Sequence, residues 1–275
     1  MLRENKSVPI LMYHSISQTR NKRFSPFAVP PEQFAEQMIC LEEGGYKAYT
    51  VTAYRQAWQR GGLAERAVVL TFDDGYADFF EAALPILRRH KFEATLYVTT
   101  GFVGESSRWL VRERETQRAM LSWEQLQEID RSGIECGGHT QSHVALDSVT
   151  EARAKWEIES CKEELQEHLG HKVHSFAYPF GYSTGKVRQL VARAGYSTGC
   201  VVGHGLSKQG SDHYALRRLM IRPGTSIESF KKLLEGTGIS WWERIYLRMR
   251  TPAWRLLRQS AVAMGEYFQR GRVGR

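Results

Sequence analysis

Cysteine is scarce in this chain, and what there is lies scattered. Cys40, Cys136, Cys161 and Cys200 form no C-x-x-C pair, which excludes a zinc knuckle and a disulfide framework and fits a reducing compartment. Long apolar runs are also missing. No stretch of about 18 apolar residues occurs, so no membrane-spanning helix is expected. Only six apolar or proline residues, Val8 to Tyr13, precede His14, and no small-residue cleavage site follows. That is too short for a signal-peptide core, and the expected location is cytoplasmic. No internal repeat or low-complexity linker interrupts the chain. No recognition motif accompanies its arginines, so no nucleic-acid partner is expected.

What remains is the composition of a soluble globular protein: 275 residues, 42% hydrophobic and 25% charged. That length suits one large α/β domain or two smaller ones, with ample core. The formal charge of +8 is unevenly spread. Residues Trp241 to Arg275 hold eight arginines against Glu243 and Glu266, a net +6, leaving about +2 for the rest. Positions 241, 242, 245, 246 and 249 are apolar and share one helical face, with arginines opposite. Such a helix either lies on an anionic membrane surface or docks on the main domain. The expected organisation is a catalytic domain over 1–238 and a basic amphipathic tail over 239–275.

Strand and helix patterns alternate along the main domain. Val8 to Ser15, Ala94 to Val98, Ile134 to Cys136 and Ser175 to Tyr178 read as strands. Pro30-Pro31-Glu32-Gln33-Phe34 starts a helix through about Glu43, and a segment around Leu84 to Leu87 and Gly185 to Ala194 also read as helices. Ser122-Trp123-Glu124-Gln125 reads as a capping box opening a helix to about Asp130. Thr150 to Leu169 reads as a long helix stopped by Gly170. This alternation predicts a parallel sheet or a (β/α) barrel.

Three segments carry chemistry. The apolar run Ala67-Val68-Val69-Leu70 leads into Thr71-Phe72-Asp73-Asp74-Gly75, two touching carboxylates at a strand end. With Asp74 on a metal, Asp73 is free to act as a base; the bland alternative is a solvated D-D-G turn. About 65 residues on, His139-Thr140-Gln141-Ser142-His143 places two imidazoles at i and i+4, on one face if the turn is helical. Gly137 and Gly138 let the backbone approach closely there. Phe176-Ala177-Tyr178-Pro179-Phe180-Gly181 reads as a strand ending in a rigid turn that exposes a backbone N–H.

Together these segments resemble the polysaccharide deacetylases, carbohydrate esterase family 4, over about residues 8 to 234. The resemblance implies a distorted (β/α) barrel with fewer than eight regular units. It implies a divalent metal, zinc first and cobalt, nickel or iron as alternatives, held by Asp74, His139 and His143. It implies hydrolysis of N-acetyl groups on an amino-sugar saccharide with release of acetate, Asp73 as base and the Phe180 N–H holding the oxyanion. Tyr178, Pro179 and Arg218 are expected at the substrate. Two departures stand out. The Arg that opens the family's third motif is Ala177 here, and Arg217 or Arg218 would have to supply its charge. The late Leu-x-His that carries the general acid is absent. Leu11-Met12-Tyr13-His14 resembles the early segment of the poly-N-acetylglucosamine deacetylases, whose motifs are permuted, and this points to His14 as the acid, with His204 as rival. A lipid-linked saccharide is a further expected substrate form. A metal amidohydrolase acting on a non-sugar amide and a non-catalytic saccharide-binding protein are the competing readings.

Overall fold

The computed structural model describes residues 7–203, 205–208 and 210–238. Eight parallel strands organise it: β1 (Ile10–Tyr13), β2 (Lys47–Tyr49), β3 (Ala67–Phe72), β4 (Thr95–Val98), β5 (Glu135–Gly138), β6 (Ser175–Ala177), β7 (Thr198–Val202) and β8 (Leu216–Met220). Seven of them close a ring, β1–β3–β4–β5–β6–β7–β8, with β8 returning to β1 through Leu219↔Leu11 and Met220↔Met12. The ring is distorted at β3. Its first half pairs with β2 and its second half with β4, while β1 runs along its other edge. The expected distorted barrel is therefore present.

The residues of β3 explain its place. All six are buried, as in a parallel strand covered on both faces. Val68, Leu70 and Phe72 pack outward into the main core beneath the helices, whereas Ala67 and Val69 join Ile10, Tyr97, Ala177 and Cys200 inside the barrel. Side chains alternate along a strand, so Thr71 and then Asp73 take the inward parity.

Helices follow most strands: α1 (Pro31–Glu43), α2 (Val51–Arg60), α3 (Leu84–His90), α4 (Trp123–Arg131), α5 (Glu151–Leu169), α6 (Gly185–Arg193) and α7 (Ile227–Leu234). The starts of α2, α4, α5, α6 and α7 are capped by side chains. Thr50, Ser122, Thr150, Thr184 and Ser226 each accept a backbone N–H of the first turn, and Ser122 with Gln125 forms the expected capping box. Gly170 ends α5 in the left-handed conformation, as expected. A π-helical turn, Phe79–Ala83, precedes α3. Among the described residues no helix separates β7 from β8; the element they show in that connection is the short strand Ser207–Lys208, paired with Ser7–Val8.

Gly137 and Gly138 are needed where β5 meets its neighbours. A Cβ on Gly137 would come within 2.6 Å of the Ser175 hydroxyl, and one on Gly138 within 2.3 Å of the Tyr196 hydroxyl. Among the described residues no helix is long and apolar enough to cross a membrane. The expected basic tail, 239–275, and His204 lie outside the described residues.

Candidate active site and metal centre

The strand ends on the C-terminal side of the barrel collect the chemistry, as in other parallel barrels. Asp73 extends β3 by one bond, its N–H donating to the Tyr13 carbonyl at 3.0 Å. The backbone then turns sharply: Asp74 has φ 78° and Gly75 φ 87°. Aspartate is one of the few side chains that tolerates this conformation, and glycine adopts it freely. The turn separates two adjacent carboxylates, sending Asp73 into the barrel and Asp74 towards the histidines.

Asp74 Oδ1 lies 3.1 Å from His143 Nε2 and 3.4 Å from His139 Nε2. The three donor atoms lie within 4.8 Å of one another, the only such cluster among the described residues. His139 continues β5, its N–H donating to Val98, and its Nδ1 sits 2.8 Å from the Ala177 carbonyl. That carbonyl can only accept, so Nδ1 carries the proton and Nε2 presents a lone pair. Burial disfavours the charged form of His139, but its approach to Asp74 and the nearby Asp73 and Asp74 charges outweigh this and raise its pKa. Burial likewise pushes Asp74 up, yet the His143 charge and the close approach of both imidazoles hold it well below the usual carboxylate range. Asp74 Oδ1 nevertheless makes no hydrogen bond of proper geometry and is fully buried. A buried acceptor facing imidazole nitrogens without a bond is what a divalent cation would satisfy. The donor set fits zinc or a similar first-row metal.

The helical turn expected for His139 to His143 is absent. Thr140 and His143 have φ 68° and 55°, and a loop brings the imidazoles together, their centroids 5.1 Å apart. Local polar groups outcompete the helix. Thr140 Oγ1 accepts the His143 N–H, and Glu157 of α5 accepts both the N–H and the hydroxyl of Ser142, at 2.8 and 2.5 Å. Arg153 neutralises Glu157 at 2.7 Å.

Asp73 is held by Arg218. The guanidinium donates from Nη1 to Oδ1 at 2.5 Å and from Nη2 to Oδ2 at 2.7 Å, and also reaches Thr71 Oγ1 at 3.2 Å. The arginine is completely buried on β8. Burial pushes the Asp73 carboxyl up, but the Arg218 charge, aided by His139 and the bidentate bond, leaves it below its ordinary value. The charge missing at Ala177 thus arrives from another strand. Arg217, its neighbour, points outward.

His14 follows β1 at the same mouth, its ring against Phe27 at 5.3 Å. Burial lowers its pKa despite the opposing pull of Asp74 and Asp73. Phe180 stands half-exposed with φ 60°, its ring 4.8 Å from that of His143. In its turn Gly181 N–H donates to Tyr178 and Tyr182 N–H to Pro179, so the Phe180 N–H makes neither bond. The expected substrate contacts need correction. Tyr178, Pro179 and Arg218 are all buried and offer a saccharide no surface; the Tyr178 hydroxyl donates to the Tyr214 carbonyl. Trp109, unmarked in the sequence, lies against His143 at 5.2 Å. Nothing but the tertiary contact identifies it, because its segment carries no periodic signal. A concavity of about 440 Å³ around Arg55, His174 and His213 lies at the opposite end of the barrel and holds none of these groups.

Comparison with known proteins bears on the family and the fold. A family model described as polysaccharide deacetylase matches residues 60–199. The YxkH protein of Bacillus subtilis (strain 168), whose name assigns it provisionally to the polysaccharide deacetylases, is 28% identical over 83% of this chain and 76% of its own. The poly-beta-1,6-N-acetyl-D-glucosamine N-deacetylase of Escherichia coli (strain K12) is 26% identical over 82% of this chain, which spans only 38% of that protein's length. The structure of the Streptococcus pyogenes deacetylase PplD in complex with acetate superposes with a TM-score of 0.74 at 27% identity, covering 84% of this chain and 99% of that one. The chain belongs to the polysaccharide deacetylase family.

Proposed function

We propose that this protein is a metal-dependent hydrolase that removes N-acetyl groups from an amino-sugar saccharide and releases acetate. One observation carries the reading: a buried, unbonded Asp74 oxygen converges with two imidazole nitrogens beside a second carboxylate that a buried arginine keeps ionised.

A divalent metal held by Asp74, His139 and His143 would polarise the acetyl carbonyl and acidify a water. The chain's own groups do the rest. Asp73, ionised by Arg218, accepts the proton of the attacking water. The Phe180 N–H, aimed from a rigid turn, donates to the carbonyl oxygen as negative charge grows there. His14 donates a proton to the departing nitrogen, so that the C–N bond breaks with its electron pair on a neutral amine. Arg218 acts through Asp73, and Tyr178 and Pro179 support the Phe180 turn from below. Trp109 and Phe180, whose rings lie 5.2 and 4.8 Å from that of His143, limit how it can rotate.

Acetate release by the zinc- or cobalt-loaded protein from β-1,4- and β-1,6-linked N-acetylglucosamine oligomers tests this. Release with one linkage preferred is the expected result. A fully loaded protein active only on simple amides would point instead to a non-sugar amidohydrolase. The competing reading of a non-catalytic binder, motivated by Ala177 and the absent late histidine, loses ground because Arg218 and His14 stand at the site in their stead.

Zinc as the resident metal, a lipid-linked saccharide and cytoplasmic residence at the inner membrane face form the finer part of the proposal. The membrane contact is supported by the sequence of 239–275 alone. Sedimentation of the full chain with anionic but not with neutral vesicles is expected; recovery in the supernatant from both removes it.

A further inference from the structure

Asp78 has no part in the base or ligand set, yet its carboxylate is almost buried and fully engaged. At the start of the π-helical turn it makes no capping bond to its own helix. It reaches across the fold instead. Oδ1 accepts the Ile16 N–H at 3.0 Å; Oδ2 accepts the Ser15 hydroxyl at 2.6 Å and Arg118 Nη1 at 3.1 Å. Ser15 and Ile16 are the two residues directly after His14.

Arg118 adds a third segment. Its guanidinium reaches Ser17 Oγ at 3.3 Å and Glu115 at 3.6 Å, and lies 4.1 Å from the Phe24 ring centroid. It belongs to the long connection between β4 and α4 that also brings Trp109 to His143. Asn21 closes the same seam by donating to the Glu113 carbonyl at 2.8 Å. One carboxylate, four residues beyond Asp74, therefore ties together the metal-ligand turn, the chain after His14 and the loop over His143. An aromatic cluster of Phe24, Tyr76 and Trp109 fills the space between them.

We propose that Asp78, braced by Arg118, is the positioning residue of the general acid: by fixing Ser15 and Ile16 it holds His14 at the departing nitrogen and makes the site selective for amides over activated esters. The inference rests on the reading of His14 as the acid. Amide cleavage needs the proton, because the C–N electron pair cannot leave as a free amide anion; the proton moves from the His14 imidazolium to nitrogen, giving amine and acetate. His14 is then reprotonated from solvent, to which Asp73 returns the proton taken from water. An aryl ester needs no such donor, since its phenolate leaves with the electron pair unaided. A displaced acid therefore slows amides alone.

The test compares acetate release from an N-acetylglucosamine oligomer with hydrolysis of 4-nitrophenyl acetate. Full-length wild type, Asp78→Asn, Ser15→Ala, His14→Ala and the His14→Ala/Asp78→Asn double variant are measured. Asp78→Asn is expected to lower kcat on the oligomer by about 10²-fold, the cost of a reacting group displaced by roughly 1 Å, with KM unchanged and ester hydrolysis nearly intact. Ser15→Ala, which removes the hydroxyl's bonds to Asp78, Ser17 and Arg118 but strands no charge, is expected to show the same selectivity at smaller size even if Asp78→Asn does not fold. In the His14→Ala background Asp78→Asn is expected to add no further loss. Equal losses on both substrates, or full additivity with His14→Ala, overturn the proposal. If His14→Ala itself keeps wild-type amide turnover, the acid assignment fails first, and this inference with it.

Discussion

Asp73→Asn is expected to lower kcat for deacetylation by about 10²–10⁴-fold, the usual contribution of a general base, while the protein still binds its metal. The candidate ligand set is untouched, since Asp74, His139 and His143 converge without any bond to Asp73. Asparagine keeps the shape of the side chain and can still accept from Arg218, but it cannot take a proton from water. Acetate release measured beside metal content per chain checks the prediction. Full loss of turnover with one metal retained assigns Asp73 to the proton transfer. Loss of metal in parallel would show that the two carboxylates work as one ligand set.

The second large effect concerns Arg218. Arg218→Met is expected to destabilise the fold by about 3–5 kcal/mol, because it strands a buried carboxylate that now has its counter-charge at 2.5 Å. Replacing both partners, as in Asp73→Leu/Arg218→Met, is expected to recover most of that stability and none of the activity. The sign of the pH effect follows from the pair. Arg218 holds the Asp73 pKa below its ordinary value. The stabilisation is therefore complete above the unfolded value of about 3.9 and is lost as pH falls through the depressed folded one. Without the arginine, burial alone acts on Asp73 and drives its pKa up. The activity of Arg218→Met should thus fall most at acidic pH and recover in part as pH rises. Unfolding midpoints and a pH–rate profile of the variant measure both. An unchanged profile would mean that something other than Arg218 keeps Asp73 ionised.

These two residues also show where reading the chain reaches its end. Asp73 was legible: an apolar run followed by two carboxylates and a glycine is a local pattern, and the turn at Asp74 and Gly75 follows from what those two residues tolerate. Arg218 was half legible. Leu216-Arg217-Arg218-Leu219 offers two adjacent arginines whose side chains must point to opposite faces, and no local rule says which faces inward. The closure of the barrel decides, since pairing of β8 with β1 fixes the register that buries Arg218 and exposes Arg217. Two arginines in so short a run also hide the strand itself. The histidine pair shows the opposite case, right residues with the wrong local geometry. The spacing of four suggested a helical turn, and Glu157 of α5, 15 positions on from Ser142, overrode it by taking the Ser142 donors.

By itself the sequence marked the alternation of strands and helices, the Ser122 and Thr150 helix starts with the Gly170 stop, and the segments carrying Asp73, Asp74, His139 and His143. Each of those depends on periodicity or on neighbours within a few positions. Only the tertiary structure decided that Arg218 replaces the arginine missing at Ala177, that Tyr178 and Pro179 are buried, that Trp109 meets His143, and that Asp78 holds the chain after His14. Those facts join residues about 35 to 145 positions apart, and the closing of seven strands into a ring, not any local propensity, brings them within reach.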